Sequence, residues 1–378
     1  MDEMDIIPVF KPLIQDNEIQ AAVESLKLGW LGMGKDVGHF EDLLSQAVGA
    51  REKHVIALST GHAALHLGLL LAGVRRGDEV ITPSFNNVSD FQAILAVGAE
   101  PVFCDIDSDT LCIDLDQVEG LISPKTKAII VMDYDCILCD HDRVKGLADK
   151  YKLRVIHDAA HSIGSKYKGR PVGSFSDICM FSFDPVKTLT CIDGGALVVK
   201  TEEEKKALYE MRLIGMSQPA HIMYQNKRAW TYDVSRLGFR YHMANLHAAI
   251  GVKQLAKLND IRRTRVSTCM FYNKTLTQIK EVTVPKSDFE GICPFLYYIR
   301  VPMECRDDLR EYLLSKGVET GIHWQPGHLF DLFKGCRAGS LQVTERVGKE
   351  IISLPLHSYM DKHASERVVS VINEFFNK

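Results

Sequence analysis

Seven short runs rich in apolar and β-branched residues alternate with helix-like segments between about residue 50 and residue 200. The runs are HVIALS, DEVITPS, EPVFCDI, AIIVMDY, LRVIHDA, DICMFSF and ALVVK. Strands that alternate with helices form parallel sheets, because each helix carries the chain back across one face of the sheet. The pattern therefore predicts a doubly wound α/β domain. The last two runs lie close together in the sequence, so we expect an antiparallel pair at that end of the sheet.

Helical periodicity is clear at residues 63–73, 142–151 and 244–258. Beyond Arg262 the chain has long helical stretches, the strand-like YYIRVPM and an amphipathic helix around ERVVSVINEFF. This order indicates a smaller α+β unit. With 378 residues the chain is long enough for two cores. We predict a large domain at residues 1–255 and a small C-terminal domain at residues 256–378.

Charge and cysteine content exclude several classes of protein. The 45 basic and 49 acidic residues nearly balance, and no run of five like charges occurs, so we expect neither a nucleic acid nor a membrane as partner. The N-terminal sequence has no basic leader followed by an apolar stretch, and no 18-residue apolar run exists elsewhere, which predicts a cytoplasmic protein. The ten scattered cysteines suit reduced thiols.

Cys136 and Cys139 form a CxxC motif. Such a pair is either a redox motif, half of a zinc site or ordinary core packing. Since no second CxxC or paired histidine motif accompanies it, we favour core packing and predict no metal site.

Polar residues collect where two of the predicted strands end. Asp158 ends LRVIHD, and Ser182 and Lys187 follow DICMFSF. Ligands of doubly wound folds bind at the carboxyl ends of the strands. A lysine amine there could form a Schiff base, and a carboxylate could pair with the ring nitrogen of a pyridine cofactor. A helix-capping role for Asp158, at the segment HSIG, is the alternative.

Lys187 lies in an apolar turn near glycines, with no acidic residue closer in sequence than Asp184. Such surroundings lower the pKa of an amine and make it nucleophilic. A lysine in a turn is otherwise an ordinary surface charge. Upstream, the turn STGHAAL puts the backbone amides of Gly61 and His62 at a helix N-terminus, where a phosphate group can bind.

The order of these motifs resembles the DegT-type sugar aminotransferases, a branch of the fold-type I pyridoxal-phosphate enzymes. The resemblance runs nearly end to end, through GWLGMGKDVGHFE, ALSTGHAALHLGL, GDEVITPS, HDAAHSIG, FSFDPVKTLT, YDVSRLGFRYHMANLHAAIGVKQL, GIHWQPGHL and ISLPLH. It implies a large domain with a mixed seven-stranded sheet between helices and a smaller C-terminal α+β domain. It also implies pyridoxal 5'-phosphate as cofactor, alternating with pyridoxamine 5'-phosphate.

The resemblance assigns roles to the motif residues. Lys187 would form the Schiff base and move a proton between the substrate carbon and C4′ of the cofactor. Asp158 would pair with the ring nitrogen, and His161 would contact the ring face or its phenolic oxygen. The predicted phosphate contacts are Gly61, His62 and Ser182.

Among the segments that depart from the family pattern, three bear on the predicted site. Where the family has an aromatic residue that stacks on the cofactor ring, this chain has TPSFNN, so either Asn87 lies over the ring or Phe85 stacks on it. The family's GxNYRM is GFRYHM here, and Arg240 would replace the asparagine that reaches the phosphate of the neighbouring subunit's cofactor. The loop around Tyr134 and Asp135 replaces HLYG and could shape a different substrate pocket.

Two other segments border the nucleotide-sugar site in the resemblance, GWLGMGK from Gly29 and HWQPGH from His323, although both could be ordinary loops. Trp230 and Tyr232 are further substrate neighbours, unless they only pack in a core. The implied reaction transfers an amino group from glutamate to a keto nucleotide-sugar for surface polysaccharide synthesis. The implied assembly is a homodimer with shared active sites.

Other functions stay open at the level of sequence. A cyclitol or another keto compound could be the acceptor. A pyridoxamine-dependent sugar dehydratase shares the fold, but that subgroup has histidine in place of the lysine, so Lys187 argues against it. A non-catalytic sensor that keeps the fold is the alternative outside enzymes.

Overall fold

We describe a computed structural model of the chain over residues 6–217 and 220–377. Residues 1–5, which belong to the N-terminal stretch predicted to have no leader, lie outside the described residues. The strands are β1 (His54–Leu58), β2 (Glu79–Pro83), β3 (Glu100–Cys104), β4 (Thr126–Met132), β5 (Arg154–Asp158), β6 (Lys166–Tyr167), β7 (Arg170–Pro171), β8 (Ile178–Ser182), β9 (Gly195–Val199), β10 (Tyr297–Arg300) and β11 (Ile351–Leu354).

The helices alternate with these strands in the first half of the chain. They are α1 (Asp16–Leu28), α2 (Lys35–Ala47), α3 (Gly61–Leu71), α4 (Val88–Ala96), α5 (Leu115–Leu121), α6 (His141–Tyr151), α7 (Glu202–Met211), α8 (Ala220–Met223), α9 (Asn245–Ala256), α10 (Leu258–Leu276), α11 (Arg306–Ser315), α12 (Gln342–Glu350) and α13 (Lys362–Phe376). None of the helices in the described ranges is long and apolar enough to cross a membrane.

The main sheet has seven strands in the order β1-β9-β8-β5-β4-β2-β3. The five strands from β8 to β3 pair in parallel, whereas β9 runs antiparallel to both β8 and β1. Each of the seven predicted strands is present, and the antiparallel end is confirmed. Asp158 pairs in register with Met180 of β8, so β5 and β8 bring their carboxyl ends to the same edge.

Both faces of the sheet are covered, which explains why apolar side chains of the strands point to both sides of the sheet. In β8, Cys179 and Phe181 point into one core, which also contains residues of α2 and α9. Ile178 and Met180 point into the opposite core, with residues of α3 and α7. The predicted arrangement of a mixed sheet between helices is therefore confirmed.

The C-terminal part of the chain builds a separate core around the antiparallel pair β10–β11, packed by α10, α11 and α13. The first described residues join it, because Ile7 exchanges backbone hydrogen bonds with Gly317 and Glu319. From this part of the chain, Phe295, His323 and Trp324 reach the carboxyl edge of the main sheet. The C-terminal part thus supplies one wall of the site described below.

The ten cysteines are free thiols. Cys136 packs in the C-terminal core, and its Sγ donates a hydrogen bond to the Leu296 carbonyl at 2.9 Å. Cys139 packs in a different core, beside Cys112. The two thiols of the CxxC motif therefore face apart and serve as core side chains.

Candidate active site

A cavity of about 550 Å³ opens at the carboxyl edge of the main sheet. This volume suits a small cofactor with part of a substrate. Strand ends and helix N-termini of the large sheet form its floor, and residues of the C-terminal part form its wall. Of the residues predicted from sequence, Gly61, His62, Asn87, Asp158, His161, Ser182 and Lys187 line it together.

Lys187 is held by a turn that follows β8. Its amide donates to the Asp184 carbonyl at 3.1 Å, and the Asp184 carboxylate accepts from the amide of Val186 at 3.1 Å. The amine Nζ lies 4.3 Å from the centre of the Phe295 ring. Burial lowers the pKa of Lys187, and the carboxylates of Asp158 and Asp184 oppose this effect. The shift is in the direction that favours a nucleophilic amine.

Asp158 is a buried carboxylate at the end of β5, with its Oδ1 accepting from the amide of Ala160 at 2.9 Å. The helix-cap alternative is wrong, because the segment HSIG forms turns and not a helix. Burial raises the pKa of Asp158, while the Ala160 amide and the Lys187 amine oppose the rise. The carboxylate lines the same cavity as the lysine amine.

The N-terminus of α3 faces the cavity with backbone amides that have no intrahelical partner. Thr60 caps the helix, its Oγ1 accepting from the Ala63 amide at 2.9 Å, while the amides of Gly61 and His62 precede the first intrahelical hydrogen bond. A Cβ on Gly61 would lie 2.8 Å from Cβ of Ser182, so Ser182 packs directly against Gly61. Nδ1 of His62 lies 2.9 Å from the Ser89 hydroxyl, which lines the same cavity.

His161 is enclosed by aromatic rings. Its ring lies 4.5 Å from that of Phe295 and 6.0 Å from that of Trp324, centre to centre. Nδ1 lies 2.9 Å from a carboxylate oxygen of Asp135. Burial and the Lys187 amine lower the pKa of His161 well below its usual value.

The structure places the two candidates for the ring-stacking position differently. Asn87 caps α4, accepting from the Ser89 amide at 2.9 Å, and faces the cavity. Phe85 is fully buried and packs against Tyr134, with ring centres 5.6 Å apart. Tyr134 in turn donates to the backbone carbonyl of His323. The unusual loop around Tyr134 therefore braces the HWQPGH segment from behind.

Arg240 does not lie at the Lys187 cavity. It lines a second cavity of about 380 Å³ together with Trp30, Trp230 and Tyr232. GWLGMGK and the aromatic pair predicted near the substrate therefore gather around Arg240, whereas His323 and Trp324 reach Lys187. Trp230 has 89% of its surface exposed.

A buried hydrogen-bond network stands behind Asp158. Nε2 of His141 and of His157 lie 2.8 and 2.6 Å from the two carboxylate oxygens of Asp133, and the Ser162 hydroxyl donates to the same carboxylate. The Asp133 amide donates to the Asp158 carbonyl. The side chains of Asp133, His141 and His157 lie close enough to one another to hold a metal ion. However, the atoms that would bind the ion are already hydrogen-bonded to one another.

The cavity fits pyridoxal 5'-phosphate. It offers an amine for the carbonyl carbon, a carboxylate for the ring nitrogen and a helix N-terminus for the phosphate. The indole Nε1 of Trp324 is buried without a hydrogen-bond partner in the described part of the chain, so a polar group in the cavity would satisfy it.

Sequence reasoning missed Thr60, Asp90, Phe295 and the individual role of Trp324. Thr60 was detectable, because threonine before a glycine-started helix is a common cap. Phe295 was not, since only the fold brings it to Lys187.

Comparison with known proteins agrees with this geometry. The model of the DegT/DnrJ/EryC1/StrS aminotransferase family matches residues 12–373. The chain is 32% identical over 384 residues to the UDP-4-amino-4-deoxy-L-arabinose--oxoglutarate aminotransferase of Shewanella sediminis (strain HAW-EB3), covering 98% of each chain. Among solved structures it is similar to the aminotransferase TlmJ of Streptoalloteichus hindustanus, with a TM-score of 0.90, 30% identity and 98% of each chain covered. It is also similar to the putative sugar aminotransferase Spr1654 of Streptococcus pneumoniae in its PMP form, with a TM-score of 0.89, 27% identity and 98% and 99% covered.

Proposed function

This chain belongs to the DegT/DnrJ/EryC1/StrS aminotransferase family, and from that membership we propose that it transfers an amino group from glutamate to the keto carbon of a nucleotide-linked sugar. It is a pyridoxal-phosphate-dependent sugar aminotransferase with the fold-type I architecture. The relative from Shewanella sediminis, named for a UDP-linked amino sugar and for oxoglutarate, supports a nucleotide-sugar acceptor and glutamate as donor.

One observation carries the proposal. Lys187, Asp158 and the N-terminus of α3 line one cavity, so an amine, a carboxylate and a phosphate site face a single small molecule. When bound, the cofactor supplies a carbonyl that accepts the amino group and a ring that withdraws electrons from the substrate carbon.

The chain's own residues divide the remaining work. The Lys187 amine, whose pKa is lowered by burial, would take a proton from the substrate carbon and return it to C4′ of the cofactor. Asp158 would keep a proton on the ring nitrogen. Gly61, His62 and Ser182 would hold the phosphate, and Asn87 and His161 would lie beside the ring. Phe295 and Trp324 exclude water from the amine.

A homodimer with shared sites would account for the position of Arg240. The second cavity lies beside a patch of exposed apolar side chains, with Trp230, Leu237 and Val234 showing 89%, 79% and 57% of their surface. Such a patch marks a protein interface. We propose that a second copy covers it and that Arg240 then reaches the phosphate in the partner's site.

The product suits the synthesis of lipopolysaccharide or another surface polysaccharide. We propose a cytoplasmic location, since the chain has free thiols, eight of them on buried cysteines.

The decisive experiment combines a spectrum with an assay. The purified protein should show the visible absorption of pyridoxal phosphate bound to a lysine, and Lys187→Ala should abolish it. Lys145→Ala is the matched control, because Lys145 is an exposed lysine of α6. Incubation of 3-keto and 4-keto nucleotide sugars with glutamate should release 2-oxoglutarate. Turnover of a cyclitol but of no keto sugar would contradict the acceptor class, and the absence of absorption after adding cofactor would contradict the aminotransferase mechanism.

A further inference from the structure

A second acidic side chain stands beside Asp158. Asp90 lies in the first turn of α4, is fully buried and lines the same cavity. Its carboxyl group and that of Asp158 are close enough to hydrogen-bond to each other. Two carboxylates cannot accept from each other, so this contact requires a proton on one of them.

The hydrogen bonds around Asp90 show which of its oxygens is free. The Asn87 amide donates to Oδ1 of Asn86 at 2.6 Å, so Nδ2 of Asn86 points the other way. That amide group donates to Oδ2 of Asp90 at 2.6 Å. Oδ1 of Asp90 receives no hydrogen bond from any described residue, although it is buried. It is therefore the oxygen available to carry a proton.

The charges that face Asp90 decide between the two protonation states. Burial and the Asp158 carboxylate raise the pKa of Asp90 well above its usual value. The Asn86 amide, the Lys187 amine and the N-terminus of α4 oppose the rise. Donation from Asp90 lowers the pKa of Asp158, whereas the nearby Asp133 carboxylate raises it. In a buried pair of carboxyl groups one proton is shared. The unpartnered Oδ1 of Asp90 and the stronger rise in the pKa of Asp90 favour that residue as the one that holds it.

We propose that Asp90 is a positioning residue whose protonated carboxyl group donates to Asp158 and aims that carboxylate at the ring nitrogen of the cofactor. The proposal rests on the proposed function, since it assumes that pyridoxal phosphate binds in this cavity. A neutral donor orients Asp158 without adding a second negative charge. The carboxyl pair therefore presents a single negative charge to the ring nitrogen.

A series of hydrogen bonds through Asn87, Asn86, Asp90 and Asp158, here called the hydrogen-bond chain, links the cap of α4 to the cofactor site. Asp90→Asn preserves the hydrogen-bond chain, because the amide oxygen can accept from Asn86 and the amide nitrogen can donate to Asp158. Asp90→Leu breaks it at both ends. The two variants have similar volume, so their difference isolates the hydrogen bonds from the packing.

The first test uses the protein without cofactor. The infrared difference spectrum of wild type against Asp90→Asn, at neutral pH, should contain the C=O stretch of a protonated carboxyl group. Asp260→Asn, at an exposed aspartate of α10, should not lose such a band. Absence of the band from the Asp90 difference spectrum overturns the proposal, whether or not the protein binds pyridoxal phosphate.

The second test uses the holoenzyme loaded with cofactor labelled with 15N in the ring. Asp90→Asn should keep the wild-type shift of the ring nitrogen and bind the cofactor within about threefold of wild type. Asp90→Leu should move the shift toward the unprotonated value and weaken binding about tenfold or more, the loss expected for a hydrogen bond to a charged group. If Asp90 is ionised in the wild type, Asp90→Asn will itself change the shift, and the proposal fails. Failure of the proposed function would be seen separately, as missing visible absorption in the wild type.

Discussion

The edge strand β1 is stabilised by a buried ion pair between Glu41 and Arg212. Removing the pair should therefore change the free energy of unfolding measurably. β1 pairs only with β9 in the main sheet, so its other side needs partners for its backbone. Glu41 Oε1 accepts from the Ala57 amide at 2.8 Å, and Arg212 Nη1 donates to the Ala57 carbonyl at 2.8 Å. The two charged groups also contact each other at 2.6 Å. Together they replace a neighbouring strand at this position.

Glu41→Gln should lower the free energy of unfolding by about 3 to 5 kcal/mol, because Arg212 is fully buried and would keep an uncompensated charge. Glutamine can still accept from the Ala57 amide, so the loss reports mainly the unpaired charge. Arg212→Met should cost a similar amount, since it leaves the Glu41 carboxylate buried and removes the donor to the Ala57 carbonyl.

The double variant Glu41→Gln with Arg212→Met distinguishes a coupled pair from two independent residues. Removing both charges leaves neither one buried without its partner. The loss of unfolding free energy in the double variant should therefore be smaller than the sum of the two single losses by about 2 kcal/mol or more. Urea unfolding followed by far-UV circular dichroism and by tryptophan fluorescence measures each loss. Additive losses, or a loss below about 1 kcal/mol for Glu41→Gln, would refute the role given to the pair.

Two further predictions concern the phosphate site and the pH dependence of stability. Gly61→Ala should weaken cofactor binding about tenfold or more, because the new methyl group would lie 2.8 Å from Cβ of Ser182. Gly120→Ala, which has open space around the new methyl group, should leave cofactor binding unchanged. Equal cofactor affinities for Gly61→Ala and the wild type in a fluorescence titration would contradict the prediction. His357 is buried, and burial lowers its pKa to about 4. Below pH ~6.5 its imidazole therefore binds a proton in the unfolded chain but not in the folded chain, until the pH approaches the folded pKa. The free energy of unfolding should therefore be independent of this group above pH ~6.5 and fall by about 2 kcal/mol between pH ~6.5 and pH ~5. His357→Gln should remove this part of the decrease. If the free energies of unfolding of the two proteins fall in parallel with pH, the assignment to His357 is wrong.

The main sheet was predictable because its strands are buried on both faces and so consist mostly of apolar residues. The same apolar runs made Asp158 and Lys187 conspicuous, since a polar residue that ends such a run stands at the edge where ligands bind. The wall of the cavity was not predictable in this way. Phe295 contacts the Lys187 amine only because the C-terminal part of the chain packs against the sheet edge. Arg240 lies away from that cavity, and its predicted role depends on a second copy of the chain.

Asp90 shows why chemistry at a site can escape even a correct prediction of the surrounding elements. An aspartate in the first turn of a helix, three residues after an asparagine cap, is ordinarily a stabilising negative charge at the positive end of the helix. The fold reverses that expectation by burying the side chain against Asp158, where a second ionised carboxylate would be repelled. The helix-terminal position and the carboxyl pair therefore favour opposite protonation states. Burial weakens solvation while it strengthens the repulsion between two ionised carboxylates, so the effect of the carboxyl pair exceeds that of the helix terminus. In our proposal Asp90 is therefore a neutral hydrogen-bond donor to Asp158.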